Sequence, residues 1–478
     1  MDLSQPGNIA SAGLRDKFAG ARNAYAATAA SRMPDARARR EALHQLDRLL
    51  TENIAEIAAA ISADFGNRSA HETKLLEIFP ARAAIHDARR HVKSWMKSRR
   101  SWASMWFLPA STELRPQPLG VIGIIVPWNY PVLLAVAPLA GALAAGNRVL
   151  IKMSEFTPQT GELFARLIST YFSPDHVSVI NGGAEVAREF SSLPFDHLLF
   201  TGSSAVGKHV MRAAAENLTP VTLELGGKSP AIIGPECRID EAAEKILFGK
   251  CLNAGQTCIA PDYVLLPRAQ EQAFAAAAQR VVTKMYPTLA RNPDYTSIVS
   301  ARHLERLKGY LDDAAARGAM VLPILSAGES LDGTQKLAPT IVANVNDDMR
   351  LMQEEIFGPI LPLVPYDNLD QAIAYVNNRP RPLALYYFGN FDDHIQRVLN
   401  ETVAGGVTIN DALLHISQDH LPFGGVGPSG MGSYHGKAGF DTFSKLKPIF
   451  HQPALNALSL FKPPYGKRFE SLIKFLLK

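Results

Sequence analysis

The sequence predicts an α/β protein with a doubly wound unit followed by a second α/β unit, and three observations carry that expectation. The chain has 478 residues, more than one ordinary core accommodates. From about residue 121, short apolar runs alternate with helical patterns, the βαβ rhythm of a parallel sheet covered on both faces. A second alternation starts near residue 230 and runs to about 425.

The elements follow in chain order. The first hundred residues carry apolar positions at helical spacing, as in "RREALHQLDRLLTENIAEIAAAISADF" and "LLEIFPARAAIHDARRHVKSWM". Proline-rich "LPASTELRPQPLG" predicts extended segments crossing between units. "GVIGIIV" reads as a buried strand, followed by an alanine-rich helix over 131–146 and a strand "RVLIK". A helix over Pro158–Tyr171, strands "VSVING" and "HLLFTG", and a helix after Gly207 complete the first unit. The second opens with "PAIIG", and its helices include 240–253 and 269–285. "FDTFSKLKPIF" near 440 predicts a strand. "YGKRFESLIKFLLK" predicts a basic amphipathic helix that packs on a partner subunit or on its own core, with a membrane surface as the alternative.

Composition narrows the function classes. With 47% hydrophobic and 20% charged residues the chain reads as soluble and globular, and a net charge of +4 gives no reason to expect a nucleic-acid surface. The run "RRHVKSWMKSRR" at 89–100 reads as the solvated face of a helix carrying Val92, Trp95 and Met96 inward, rather than an anion or membrane patch. The stretch 131–146 holds two prolines and is short of a membrane span. Three cysteines, Cys237, Cys251 and Cys258, and an N-terminus without a secretory pattern predict a reducing cytoplasm and no disulfide framework. Neither CxxC nor a histidine cluster at ligand spacing occurs, so no metal site is expected.

Several motifs carry chemistry. "HLLFTGSSAVGKHV" sets Gly202, Ser203 and Gly207 between a strand and a helix, where backbone amides can meet a diphosphate; its GxxxxG spacing equally fits an ordinary turn. A formal GxGxxG at Gly425, Gly427 and Gly430 contains Pro428 and follows no clear strand, so it reads as a loop needing positive φ near a pocket. Lys152 and Glu155 end a strand, where a carboxylate can accept ribose hydroxyls; two surface charges are the plain alternative. Glu224 lies in apolar company in "PVTLELGGKSP", followed by Leu225; burial would raise its pKa and suit it to base catalysis, whereas an outward-facing strand residue would have no such role. Cys258 sits in "AGQTCIAPD", a turn rather than a core, where nearby amides favour the reactive thiolate. Cys251 reads as packing and Cys237 as peripheral.

Together "PWNYP", "IKMSE", "FTGS", "LELGGKSP", "GQTC" and "EEIFGPILP", in this order over most of the chain, resemble the aldehyde dehydrogenase superfamily. "TCIAPDY" and "LPFGGVGPSGMGSYHGKAGFDTFS" look most like its class 3 branch, and within that branch like bacterial coniferyl aldehyde dehydrogenases. Met153 stands where the family often has proline, between Lys152 and Glu155. The resemblance implies a Rossmann-like NAD(P)-binding domain (1–108 and 121–229), a catalytic α/β domain (230–428), a strand-rich oligomerisation element (109–120 and 429–455) and a C-terminal tail (456–478). It implies that Cys258 is the nucleophile, that Asn129 and the Cys258 amide form an oxyanion hole, and that Glu224 is the general base. It also implies that Lys152, Glu155, Gly202, Ser203, Gly207, Leu225, Glu355 and Phe357 hold the cofactor. NAD is the expected cofactor because Glu155 repels a 2′-phosphate; NADP is the alternative. A homodimer is expected, with no nucleic-acid or membrane partner.

For the substrate, Tyr130 and Thr257 flank the implied oxyanion asparagine and nucleophile, and Tyr263 and Ile416 are expected to continue an apolar wall. An aromatic wall favours aromatic or cinnamyl aldehydes; a generic tunnel would take medium or long aliphatic ones. A cysteine hydrolase could use His415, His420 or His435 but leaves the cofactor motifs unexplained. A CoA-acylating dehydrogenase would not need Glu224, and a non-enzymatic protein would need neither Glu224 nor Cys258.

Overall fold

The computed structural model describes residues 6–31, 33–456 and 461–477. Its strands form three sheets. The first has six strands in the order Gly430–Met431, Val221–Glu224, His197–Thr201, Val121–Ile125, Arg148–Lys152 and Val177–Ile180, all parallel except the short Gly430–Met431. Chain order reverses between Val121–Ile125 and its neighbour His197–Thr201. In a doubly wound sheet, that reversal opens a crevice at the carboxyl ends of the strands.

The second sheet has seven strands, Met320–Pro323, Thr340–Ala343, Ile360–Tyr366, Tyr263–Pro267, Pro230–Ile233, Ala384–Phe388 and Gly406–Ile409, with only the Met320–Pro323 edge antiparallel. The third is an antiparallel arm of Arg99–Trp102, Ser111–Pro118 and Ser444–His451.

The helix Leu133–Ala145 explains its sequence. Every residue from Leu134 to Ala145 is buried, so an all-round apolar helix needs no lipid. Its first turn donates the Val132 and Leu133 amides to one Glu77 carboxylate oxygen at 2.7 and 3.0 Å. Just beyond its far end, Asn147 donates to the Phe443 carbonyl at 2.8 Å and ties the helix to the approach of the arm.

Four expectations need correction. The helix placed after Gly207 starts at Ser204, and Gly207 lies inside its first turn. The helix carrying the 89–95 basic residues ends at Trp95, and Arg99–Trp102 joins the arm rather than the first unit; Val92 is buried while Trp95 and Met96 are half-buried. The helix expected to reach 253 stops at Cys251, because Asn253 and Ala254 take φ of 51° and 50°. "FDTFSKLKPIF" divides into the end of a helix, Gly436–Thr442, and a strand from Ser444. The basic tail does form a helix, Lys467–Leu476, with Phe475 edge-on to Trp106 of the arm at 6.2 Å.

Candidate active site

The site lies at the crevice of the six-stranded sheet. Val221–Glu224 delivers Glu224 between His197–Thr201 and Gly430–Met431. Backbone bonds from Gly202 to the Glu224 carbonyl and from Leu225 to the Ser429 carbonyl fix the strand end. The glycine-rich loop over it holds Gly427, Gly430 and Gly432 at φ of 64°, 147° and 81°, the positive values expected there. Glu224 is 3% exposed, and neither carboxylate oxygen has a partner among the described residues. Burial pushes its pKa well above the ordinary carboxylate range.

Cys258 is positioned by the kink that ends Ile239–Cys251. Gly255 continues the turn at φ 74°, and a Cβ there would collide with the Gly358 carbonyl. Gln256 locks the turn with its own amide, donating to the Asn253 and Ser297 carbonyls at 2.9 and 3.0 Å and accepting from the Val299 amide at 2.9 Å. Two residues on, Cys258 opens into a cavity of about 1140 Å³. The turn amides of Cys258 and Ile259 do favour its thiolate, as expected from sequence. Burial outweighs them, with Glu355 and Glu224 adding to it, and pushes the thiol up to about 12. The thiol therefore rests protonated and needs a base. Cys251 is buried and Cys237 half-buried; neither lines this cavity.

Asn129 faces the same turn. Its side-chain amide donates to the Gln256 carbonyl at 3.2 Å, which uses one of two N–H groups. Its carbonyl accepts from Arg68 at 2.9 Å and from the Asn253 side chain at 3.1 Å.

Tyr130, Thr257 and Ile416 line the cavity beside Cys258, as expected. Tyr263 does not. It is buried in the core of the second sheet, edge-on to Tyr375 at 5.7 Å and beneath Lys228. The wall is built instead by Leu133, Leu134 and Ala137 with Val281 and Met285, and Phe79 and Phe248 stand exposed among the lining residues.

The residues expected to hold a cofactor lie on several separate elements. Ser203 caps the helix Ser204–Ala215 by accepting from Val206, and the first-turn amides of Ser204 and Ala205 have no intrahelical acceptor. Gly207 faces into the molecule: a Cβ on it would strike Leu225. Gly207 and Leu225 thus form a packing contact that seats the helix. Gly202 presents no more than a backbone, since a Cβ would strike the Phe200 ring. Buried Lys152 has its ammonium 3.9 Å from exposed Glu155 and donates to the Met153 carbonyl at 2.6 Å. Glu355 lies over Gly226, where a Cβ would meet its carboxylate. Burial, reinforced by Asp262, pushes Glu355 up to about 8. Phe357 holds φ of 50°, a strained value for a bulky residue, and packs edge-on to Trp128 at 5.3 Å.

One neighbour of Trp128 carries no sequence signal. His303 stacks on Trp128 at 5.1 Å, and its Nε2 has no partner among the described residues. Burial, with Arg306 and Arg302 nearby, lowers its pKa to about 4 and keeps it neutral. Among the described residues, no group of three or more His, Cys, Asp or Glu could hold a metal, and no helix is long and apolar enough to cross a membrane.

The aldehyde dehydrogenase family model matches residues 5–449. A probable coniferyl aldehyde dehydrogenase of Pseudomonas aeruginosa is 55% identical, covering 96% of this chain and 95% of that one. A 4,4′-diaponeurosporen-aldehyde dehydrogenase of Staphylococcus aureus is 40% identical, covering 91% and 94%. The substrate-bound structure of Staphylococcus aureus AldH superposes with a TM-score of 0.90 at 38% identity, covering 97% and 99%. A Mycobacterium tuberculosis aldehyde dehydrogenase complexed with NAD+ superposes with a TM-score of 0.82 at 28% identity, covering 93% and 90%. This chain belongs to the aldehyde dehydrogenase family. It is an oxidoreductase acting on aldehydes.

Proposed function

We propose that the chain oxidises an aldehyde to a carboxylic acid through a covalent intermediate on Cys258, with NAD as oxidant. The observation that carries this reading is the pairing of a protonated thiol at an apolar cavity with a buried, unpartnered carboxyl, Glu224. Glu224 takes the thiol proton, and Sγ of Cys258 adds to the carbonyl carbon. The oxygen that gains charge is met by the free N–H of the Asn129 amide and the Cys258 backbone N–H. A dinucleotide, when bound, supplies the hydride acceptor for that carbon. The carbon is left as a thioester on Cys258. Glu224 passes the thiol's proton to solvent, then takes a proton from water as the water oxygen attacks the thioester; that proton goes to the departing Cys258 sulfur, which restores the thiol and releases the carboxylic acid.

The residues present fit a dinucleotide. Lys152 and Glu155 suit ribose hydroxyls, and Ser203 with the Gly202 backbone and the free first-turn amides suits a diphosphate. Glu355 and Phe357 suit the nicotinamide ribose and ring. The exposed Glu155 carboxylate disfavours a 2′-phosphate and supports NAD over NADP.

Tyr130 in the cavity wall supports an aromatic or cinnamyl aldehyde, in keeping with the name of the Pseudomonas relative. A second reading, a longer apolar aldehyde, is favoured by volume. About 1140 Å³ exceeds the roughly 300–1,000 Å³ of sites that enclose drug-sized ligands. A homodimer is supported by Trp102, Met105, Phe107 and Phe450, apolar side chains exposed on the arm. The three free cysteines suit a reducing cytoplasm. The three sheets support the division into cofactor, catalytic and oligomerisation parts.

Absorbance of reduced nicotinamide, followed with an aldehyde in the presence and absence of CoA, tests the reading. Signal without CoA, absent in Cys258→Ala, is expected. Turnover by the alanine variant, or a strict CoA requirement, overturns it.

A further inference from the structure

We propose that Arg68 is a positioning residue for the oxyanion site, holding the Asn129 turn so that the Asn129 amide faces the carbonyl at Cys258. The proposal rests on the reading of Asn129 given above.

Arg68 and Glu77 form an ion pair at 3.0 Å with both side chains fully buried. The same guanidinium nitrogen donates to the Asn129 carbonyl at 2.9 Å. The guanidinium also lies near two rings, 5.2 Å from the centre of Phe65 and 4.8 Å from that of Tyr130. The second Glu77 oxygen accepts the Val132 and Leu133 amides. One ion pair thus grips residues 129, 130, 132 and 133, the whole turn that presents the donor.

The local backbone is built for this. Lys74–Ile78 is a π-turn, closed by the Phe79 amide on the Lys74 carbonyl. Such a turn brings residues five apart toward one face, and turns of this kind cluster at functional sites. Glu72 and Glu77 are five apart and both are buried. Glu72 accepts the Asn253 amide at 3.1 Å and the Thr296 hydroxyl at 2.9 Å. Asn253 in turn donates to the Asn129 carbonyl, so residues 68–77 clamp both the donor turn and the kink that carries Cys258.

Stability alone explains this poorly. A buried ion pair is often no better for the fold than apolar residues of the same volume. Here the arrangement also leaves Arg68 Nε and Nη2 without partners among the described residues. What the pair supplies is a fixed direction: a planar guanidinium held by a carboxylate, a carbonyl and the neighbouring rings permits one placement of the turn.

Arg68→Met alone would strand the Glu77 charge and risks unfolding, so the test uses R68M/E77Q with R68K as the conservative variant. Thermal unfolding verifies the fold, and kcat and KM are measured in wild-type and N129A backgrounds. A small displacement of a reacting group costs about 10²-fold in rate. R68M/E77Q is therefore expected to lose about that factor in kcat with KM little changed, R68K to fall between, and the loss to vanish in N129A. A folded R68M/E77Q at wild-type kcat, while N129A is slow, overturns the positioning role and leaves Asn129 as donor. An undiminished loss in the N129A background overturns action through Asn129. N129A at wild-type kcat overturns both.

Discussion

The hydroxyl of Tyr130 lies 2.6 Å from that of Thr257, which ties the residue after Asn129 to the residue before Cys258. The aromatic ring in the cavity wall is thus bonded directly to the turn that carries Cys258. Tyr130→Leu breaks the tie and removes the ring. Aromatic pairing contributes roughly 0.5–1.5 kcal/mol beyond area burial. The variant should therefore lose about two- to tenfold in kcat/KM for coniferyl aldehyde and benzaldehyde relative to hexanal. Specificity constants for these three and acetaldehyde measure it. Equal or better turnover of hexanal by the wild type, with an order that leucine leaves unchanged, favours the longer apolar substrate instead.

Cys258→Ala should abolish dehydrogenase activity and acyl-enzyme formation while retaining the dinucleotide. The residues proposed to hold the dinucleotide lie on other segments. Mass spectrometry of a trapped acyl adduct and cofactor titration check both halves. An adduct on the alanine variant would assign the nucleophile elsewhere.

Glu224→Gln should slow hydrolysis of the acyl-enzyme more than hydride transfer, so a burst of reduced cofactor precedes a slow steady rate. Because burial raises the Glu224 pKa, the wild-type rate should climb with pH above the ordinary carboxylate range as the base loses its proton. The glutamine variant should lack that limb. Stopped-flow traces across pH decide it; a wild-type burst and steady rate in the variant removes Glu224 as base.

Glu355 gives a stability prediction. Its pKa is raised from 4.5 to about 8, so the native state binds its proton more tightly than the unfolded chain. The stabilisation is complete below about pH 4.5 and is lost as pH rises through about 8. Glu355→Gln has no proton to lose. In the protein without added cofactor, the melting temperature of wild type minus variant should fall between these pH values. A flat difference would show that the carboxyl is not held in its neutral form.

Much of this was legible in the sequence, for identifiable reasons. Glu224 stood out because a carboxylate inside an apolar strand is anomalous. Cys258 stood out because its neighbours are those of a turn. Tyr263 misled because "YVLLP" is apolar throughout, and a strand covered on both faces gives no alternation to say which side a residue takes. Gly207 was ambiguous because a glycine packed under Leu225 looks the same in sequence as one beside a phosphate. The pair Arg68–Glu77 left no trace: nine residues apart, it fits no helical spacing, with Arg68 ahead of the helix Ala70–Thr73 and Glu77 within the π-turn.

The lone Glu224 carboxyl has a bearing on how this chain can change over time. A buried polar group without a partner costs roughly 1–3 kcal/mol. With Glu224 as the proposed base, replacing it by an apolar residue of similar size, such as methionine, is expected to give a hardier protein and an inert one. Heat-resistant variants drawn from a random library should therefore include losses at position 224, while variants drawn for turnover should retain glutamate there. Robustness and activity pull this one residue in opposite directions, so its persistence in a lineage records which of the two was being selected.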